Sequence, residues 1–230
     1  MLSAWYIKTT NPKPKGTILL FHGYQGTKSN LIEVSDTLLT MGYNTLLTDF
    51  MGSGGSEGNQ TTIGAKEAEN VKAAFEYIAN KGEKNIYLYG SSMGAAAVMK
   101  ALTDYKLSPK AIIVGCPFGS MYGTVGKRFE IMGIPKFPMA GLLTFWGGVE
   151  NGFWAFSHNP EDYAKNITCP TLLLWGEQDN RVDYEETHTI YNNLAGEKEL
   201  HTFVHSGHGQ YIETEPEQWQ HNVSAFLLNH

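Results

Sequence analysis

Cysteine is scarce in this 230-residue chain, with only Cys116 and Cys169 present. They form no CxxC pair, so a disulfide framework is excluded. Each precedes a proline at an apparent strand edge and reads as a reduced, buried thiol. Positive charge is also short: 17 Lys and Arg face 23 Asp and Glu, for a net charge of −6. The longest basic run, Lys13 to Lys15 around Pro14, reads as a solvated turn. A nucleic-acid partner needs a clustered basic surface and is not expected. No apolar run reaches the roughly 18 residues of a membrane span. The opening stretch "MLSAWYIKTTNPKPKG" has no signal-peptide core of about 7–15 apolar residues, so a cytoplasmic location is the expectation, with a trimmed anchor left open. The histidines lack HExxH spacing, and neither a metal nor a cofactor is expected. Internal repeats and low-complexity tracts are missing too.

What remains is a chain with 42% hydrophobic and 17% charged residues, enough for one core of the size common in α/β domains of about 200–250 residues. Strand-like and helix-like segments alternate. "GTILLFHG", "YNTLLTDF", "NIYLYG", "AIIVGCP" and "TLLLWG" are near-continuous apolar strands, "AWYIKTT" an edge strand and "ELHTFV" a last strand. Leu31, Val34, Leu38 and Leu39 recur at helical spacing, as do Ala68, Val71, Phe75 and Ile78 within a helix expected over Ile63–Ala79. Apolar strands separated by helices imply a mostly parallel sheet covered on both faces. One stretch breaks the alternation. Pro117 to about Lys165 is rich in Gly, Phe, Met and Trp and is too long for an ordinary connection. It reads as an inserted cap, dividing the chain into a core of 1–116 and 166–230 and a cap of 117–165.

The chemistry-bearing motifs lie beyond strand ends, where open α/β sheets place their ligands. Gly90-Ser91-Ser92-Met93-Gly94 matches G-x-S-x-G with a strand before it and a helix after it. The glycines permit a strained turn that lifts the Ser92 hydroxyl above the sheet, over a partly positive helix N-terminus. A serine needs a base. His208, between glycines in "FVHSGHGQY", is the better candidate than His205, which sits nearer the strand. The base needs an orienting carboxylate. Asp179 in "GEQDNRVDYEE" is favoured over Glu177, and Asp183 and Glu185 look like first-turn helix residues. The glycine turn "HGYQG" supplies an oxyanion hole, with the N–H groups of Tyr24 and Met93 as the expected donors. Among the cap's Met and aromatic residues, Phe118, Met121, Trp146 and Trp154 are candidate substrate contacts.

Taken in order, "HGYQG", "TDFMGSGGSEG", "GSSMGA", "GEQDNRV" and "GHGQY" make the chain resemble an α/β-hydrolase over nearly its whole length. It is most similar to bacterial hydrolases grouped with serine aminopeptidases and monoacylglycerol lipase-like esterases. The chain order Ser, Asp, His is that of the superfamily. One departure is Met51, where relatives commonly carry Arg in D-x-R-G-x-G-x-S. Ser rather than Asp at the elbow argues against the epoxide hydrolase and dehalogenase chemistry of the superfamily. The resemblance implies a serine hydrolase, with a small-molecule ester as the expected substrate, and the cap's Met and aromatic residues point to an apolar acyl group. The alternatives are an aminopeptidase, amidase or thioesterase on the same residues, or a binding protein that kept the fold. Oligomeric state is not legible.

Overall fold

The computed structural model describes residues 1–230. Its centre is a sheet of seven strands: β1 (Ala4–Ile7), β2 (Thr17–Phe21), β3 (Asn44–Thr48), β4 (Ile86–Ser91), β5 (Ile112–Gly115), β6 (Thr171–Gly176) and β7 (Lys198–Phe203). Their order is β1-β3-β2-β4-β5-β6-β7. Only the edge pair β1–β3 is antiparallel; the others run parallel, with Phe21 beside Gly90 and Gly90 beside Val114. Chain order reverses direction between β2 and β4, which makes that junction the switch point of the sheet.

The unbroken apolar strands divide their side chains by the two-residue pleat. Leu19, Phe21, Leu88, Ile112, Val114 and Leu173 join one core cluster, and Ile18, Leu20, Tyr87, Tyr89, Ile113 and Leu172 join the other. Helices α2 (Glu67–Asn80) and α3 (Met93–Tyr105) cover the first face. Helices α1 (Ile32–Thr40) and, at the C-terminus, α9 (Pro216–Asn229) cover the second. Both faces are therefore dry, as a parallel sheet requires.

The second helix starts at Glu67, later than the apolar periodicity places it. Ile63 and Gly64 have left-handed φ values of 55° and 101°. The fully buried Glu67 carboxylate accepts the N–H groups of Thr62 and Gly64 at 2.8 and 2.9 Å. A side-chain acceptor outcompetes the helical ladder over those residues. The Asp49 loop is held in a similar way. Its carboxylate is fully buried, accepts the N–H groups of Lys28 (2.7 Å) and Gly55 (2.8 Å), and pairs with the Lys28 ammonium. Met51 contributes only its N–H to this loop's described bonds, donating to Asn70 Oδ1 at 2.8 Å.

Between β5 and β6 the chain forms α4 (Met121–Ile131), α5 (Met139–Asn151), a 3₁₀ turn at Ala155–Ser157 and α6 (Pro160–Tyr163). Ser120 caps α4, its hydroxyl accepting the Gly123 N–H at 3.1 Å. The remaining helices are α7 (Tyr184–Asn193), capped by a reciprocal Asp183–Glu186 pair, and the single turn α8 (Tyr211–Thr214). No helix is long and apolar enough to cross a membrane.

Candidate active site

Ser92 stands between the last residue of β4 and the first of α3, with φ 53° and ψ −113°. For a non-glycine residue this region costs on the order of 1–3 kcal/mol and persists only where the surroundings impose it. Here they do. The Ser92 N–H donates to Gly115 O at the end of β5, at 2.8 Å. A Cβ on Gly90 would lie 2.6 Å from Gly94 and Ala95 backbone atoms, and one on Gly94 would collide with the carbonyls of Phe21 and His22. The two glycines thus let α3 start hard against the ends of β4 and β2.

His208 follows β7 in the loop to α8. Its Nε2 lies 2.8 Å from Ser92 Oγ, and its Nδ1 lies 2.8 Å from Asp179 Oδ2. With the ring proton on Nδ1, that nitrogen donates to Asp179 and Nε2 accepts the Ser92 hydroxyl. The Asp179 side chain is fully buried, and its Oδ1 accepts the N–H groups of Arg181 (2.8 Å) and Val182 (3.1 Å). The carboxylate is therefore fixed from both sides. The loop carrying His208 is tied down through Ser206 and the His205 N–H, which bond Glu215 at 2.7 and 3.0 Å. His205 and Glu177 are exposed, and Asp183 is the N-cap of α7. Ser91 is the last residue of β4.

Burial by itself lowers the His208 pKa, but the Cys116 sulfur and the Asp179 carboxylate outweigh it, and the net shift is upward. Cys116 Sγ is 3.9 Å from His208 Nε2, on a residue with φ 41°. Its electrostatic share requires a thiolate; beside a neutral thiol, Asp179 opposes desolvation alone. Cys116, Asp179 and His208 are also the one trio of metal-ligating types whose ligand atoms lie within 4.8 Å of one another. Asp179 and His208 are already bonded to each other, and three donors fall short of a closed tetrahedral zinc site.

The turn after β2 lies against the elbow: a Cβ on Gly23 would be 3.6 Å from Ser92 Cβ. The Tyr24 N–H donates to no group in the chain, and Met93, as the first residue of α3, has an N–H with no helical acceptor upstream. His22 is fully enclosed and structural. Its Nδ1 donates to Gly23 O at 2.8 Å and its Nε2 accepts the Phe50 N–H at 3.1 Å, while burial lowers its pKa. The ring thus holds the turn and stays neutral.

Two cavities adjoin these groups. A cleft of about 30 Å³ is lined by Ser92 and His208 together with Phe118, Thr124 and Val182 and three cations. A cavity of about 250 Å³ lies between the insert and the core, bounded by Tyr24, Ile63, Met121, Val125, Leu143 and Phe153 among others. It exceeds the roughly 150 Å³ that accepts a benzene ring. Thr124 and Arg128 line both. Of the four candidate substrate contacts, Phe118 lines the cleft and Met121 the larger cavity, whereas Trp146 and Trp154 line neither. Each is 60% exposed, and both pack on Phe145 at the outer face, with centroids 5.3 and 6.3 Å away. Apolar composition cannot say which side of a segment faces inward: α5 turns Trp146 outward, and Trp154 is exposed in the connection just before the 3₁₀ turn. The cationic residues of the cleft, Lys127, Arg128 and Arg181, were not singled out by the motif pattern. The available signal was that the chain contains only two arginines.

Comparison with known proteins follows the same lines. The sequence profile of the family described as serine aminopeptidase, S33, matches residues 12–138. The chain is 24% identical over 217 residues to the uncharacterized protein YqkD of Bacillus subtilis, covering 93% of this chain and 71% of that protein. It is 26% identical over 208 residues to the lysophosphatidylserine lipase ABHD12 of Danio rerio, covering 85% of this chain and 51% of the lipase. It thus spans about half the length of those lipases. Among solved structures, the Pyrococcus furiosus esterase Pf2001 superposes with a TM-score of 0.80 at 25% identity, covering 99% of this chain and 85% of the esterase. Est1E of Butyrivibrio proteoclasticus, bound to ferulic acid, superposes with a TM-score of 0.78 at 24% identity, covering 99% and 94%.

Proposed function

This chain belongs to the serine aminopeptidase S33 family and has the α/β-hydrolase fold, and on that premise we propose that it hydrolyses carboxylic esters with an apolar acyl group. The observation that carries the reading is the chain of two 2.8 Å contacts from Ser92 through His208 to Asp179. His208 takes the Ser92 proton as Oγ attacks the ester carbonyl. The N–H groups of Tyr24 and Met93 receive the oxyanion, each worth about 3 kcal/mol at the transition state. His208 then gives the proton to the leaving alcohol. A water, deprotonated by the same ring, releases the acid, and Asp179 stabilises the imidazolium in both halves. Residues 117–165 act as a cap, and the acyl chain lies under it in the cavity beside Met121. Phe118 borders the reacting carbon, and the outward Trp146 and Trp154 take no part in substrate contact.

Aminopeptidase action is disfavoured by the same cleft. A substrate ammonium needs a facing carboxylate, and the cleft's lining includes Lys127, Arg128 and Arg181 without an Asp or Glu. The test is hydrolysis of p-nitrophenyl esters with two to about twelve acyl carbons beside an aminoacyl arylamide, using wild type and Ser92→Ala. Wild type prefers short- to medium-chain esters, and Ser92→Ala loses on the order of 10⁶-fold in kcat, as for the nucleophile of subtilisin. A Ser92→Ala protein that keeps the rate, or a wild type that prefers the arylamide, refutes the reading.

A further inference from the structure

The chain's two arginines, Arg128 and Arg181, come from different elements, yet both line the cleft that holds Ser92 and His208. Arg128 projects from α4. Arg181 lies in the β6–α7 loop, where its own N–H is anchored on Asp179 Oδ1 at 2.8 Å. Lys127 lines the same cleft and is partly answered by Asp183, 3.8 Å away. Neither guanidinium belongs to any of the chain's ion pairs. Arg128 instead sits over the Tyr24 ring, 5.4 Å from its centroid, which fixes it beside the turn that supplies the oxyanion donor. In a chain of net charge −6, this is a local concentration of positive charge around a reaction centre. Folding gains nothing from crowding like charges. A guanidinium fork matches the oxygens of a carboxylate or phosphate, and a cationic cleft with apolar walls draws anions.

The apolar cavity meets this cleft across Thr124 and Arg128. One molecule spanning both would put a hydrocarbon chain under the cap, an ester at Ser92 and an anion at the arginines. We propose that the natural substrate is an anionic amphiphile: an acyl ester whose alcohol part carries a carboxylate or phosphate held by Arg128 and Arg181. The proposal rests on the ester-hydrolase reading and supplies the substrate class it lacks. Lys127 adds charge at the rim, and the arginines supply the directed hydrogen bonds.

The test compares three decanoyl esters below their micelle concentrations: 1-decanoylglycerol, its 3-phosphate, and 3-O-decanoylglycerate. Decanoate release is measured for wild type, Arg128→Gln, Arg181→Gln and, as a distant surface control, Lys165→Gln. Wild type favours an anionic ester over the neutral one by about tenfold or more in kcat/KM, the size expected for a charge-assisted hydrogen bond. Each arginine variant cuts that ratio on the order of tenfold, and Lys165→Gln keeps it. Whether the phosphate or the carboxylate ester leads identifies the anion. Equal turnover of neutral and anionic esters, or a ratio that survives both arginine substitutions, overturns the proposal. Calorimetric binding of the decanoyl glycerol phosphate to Ser92→Ala, with and without Arg181→Gln, is independent of turnover. If no ester is cleaved but binding is present and weakens about tenfold with Arg181→Gln, the hydrolase reading falls and the anion site stands. If there is neither binding nor a ratio, the anion site falls.

Discussion

His158 makes a sharp test of the energetics because burial outweighs the groups around it that favour protonation. The ring is buried under the insert, its Nε2 donates to Ile63 O at 2.9 Å, and its Nδ1 pairs with the Tyr163 hydroxyl at 3.0 Å. Phe118 packs edge-on at 5.6 Å. Burial pushes its pKa down from 6.5 to about 4, with a smaller push from Lys100, against the opposing effect of the Ile63 carbonyl. A folded pKa below the unfolded one means that, between those values, the unfolded chain binds a proton the folded chain refuses. Stability therefore falls as pH drops from 6.5 towards 4, and the loss stops below that. At about 1.4 kcal/mol per pH unit the full window is worth about 3 kcal/mol, and about 2 kcal/mol of it falls between pH 7.5 and 5.0. His158→Gln keeps a donor for Ile63 and does not titrate. Urea unfolding of both proteins at the two pH values isolates this group from every other titration. The stability gap between wild type and variant should shift by about 2 kcal/mol in the variant's favour on acidification. Parallel losses in the two proteins would refute the assignment of a buried neutral ring. Ile63 and Met121, which bonds His158 O through its N–H at 2.9 Å, both line the larger cavity.

Lys28→Met strands the fully buried Asp49 carboxylate, whose pKa is held low by Lys28 and by backbone N–H donors despite the desolvation that opposes them. The expected cost is about 3–5 kcal/mol in urea unfolding, with part recovered in Lys28→Met/Asp49→Asn. A cost under about 1 kcal/mol would mean that the pair behaves like a surface ion pair. In the pH profile of kcat/KM, activity requires neutral His208 and falls as pH drops through its raised pKa. Beside a neutral Cys116 thiol, the acid limb should move down in Asp179→Asn, which removes the facing carboxylate, and stay in place in Cys116→Ala. A limb that follows Cys116 instead would assign the shift to a thiolate.

The strands were legible because a sheet buried on both faces writes itself as continuous apolar runs such as "ILLF" and "IYLYG", and period two then sorts Leu19 from Leu20 without further instruction. The elbow was legible because close approach of α3 to β2 and β4 admits only glycine at positions 90 and 94. Ser92, His208 and Asp179 were nominated one by one from local turn chemistry. Their mutual distances belong to the sheet, which brings the ends of β4, β6 and β7 to one edge from positions as much as 116 residues apart. The start of α2 is not legible in the apolar periodicity because Glu67 competes for backbone donors through its side chain. The inward and outward sides of the insert could not be assigned. Its helices carry Met and aromatic residues around much of their circumference, so only docking onto the core separates Met121 from Trp146. The same holds for charge. The sequence determined that this acidic chain has just two guanidinium groups; only the tertiary structure decided that both line the cleft that holds Ser92, because the elements carrying them meet through packing rather than through any local pattern.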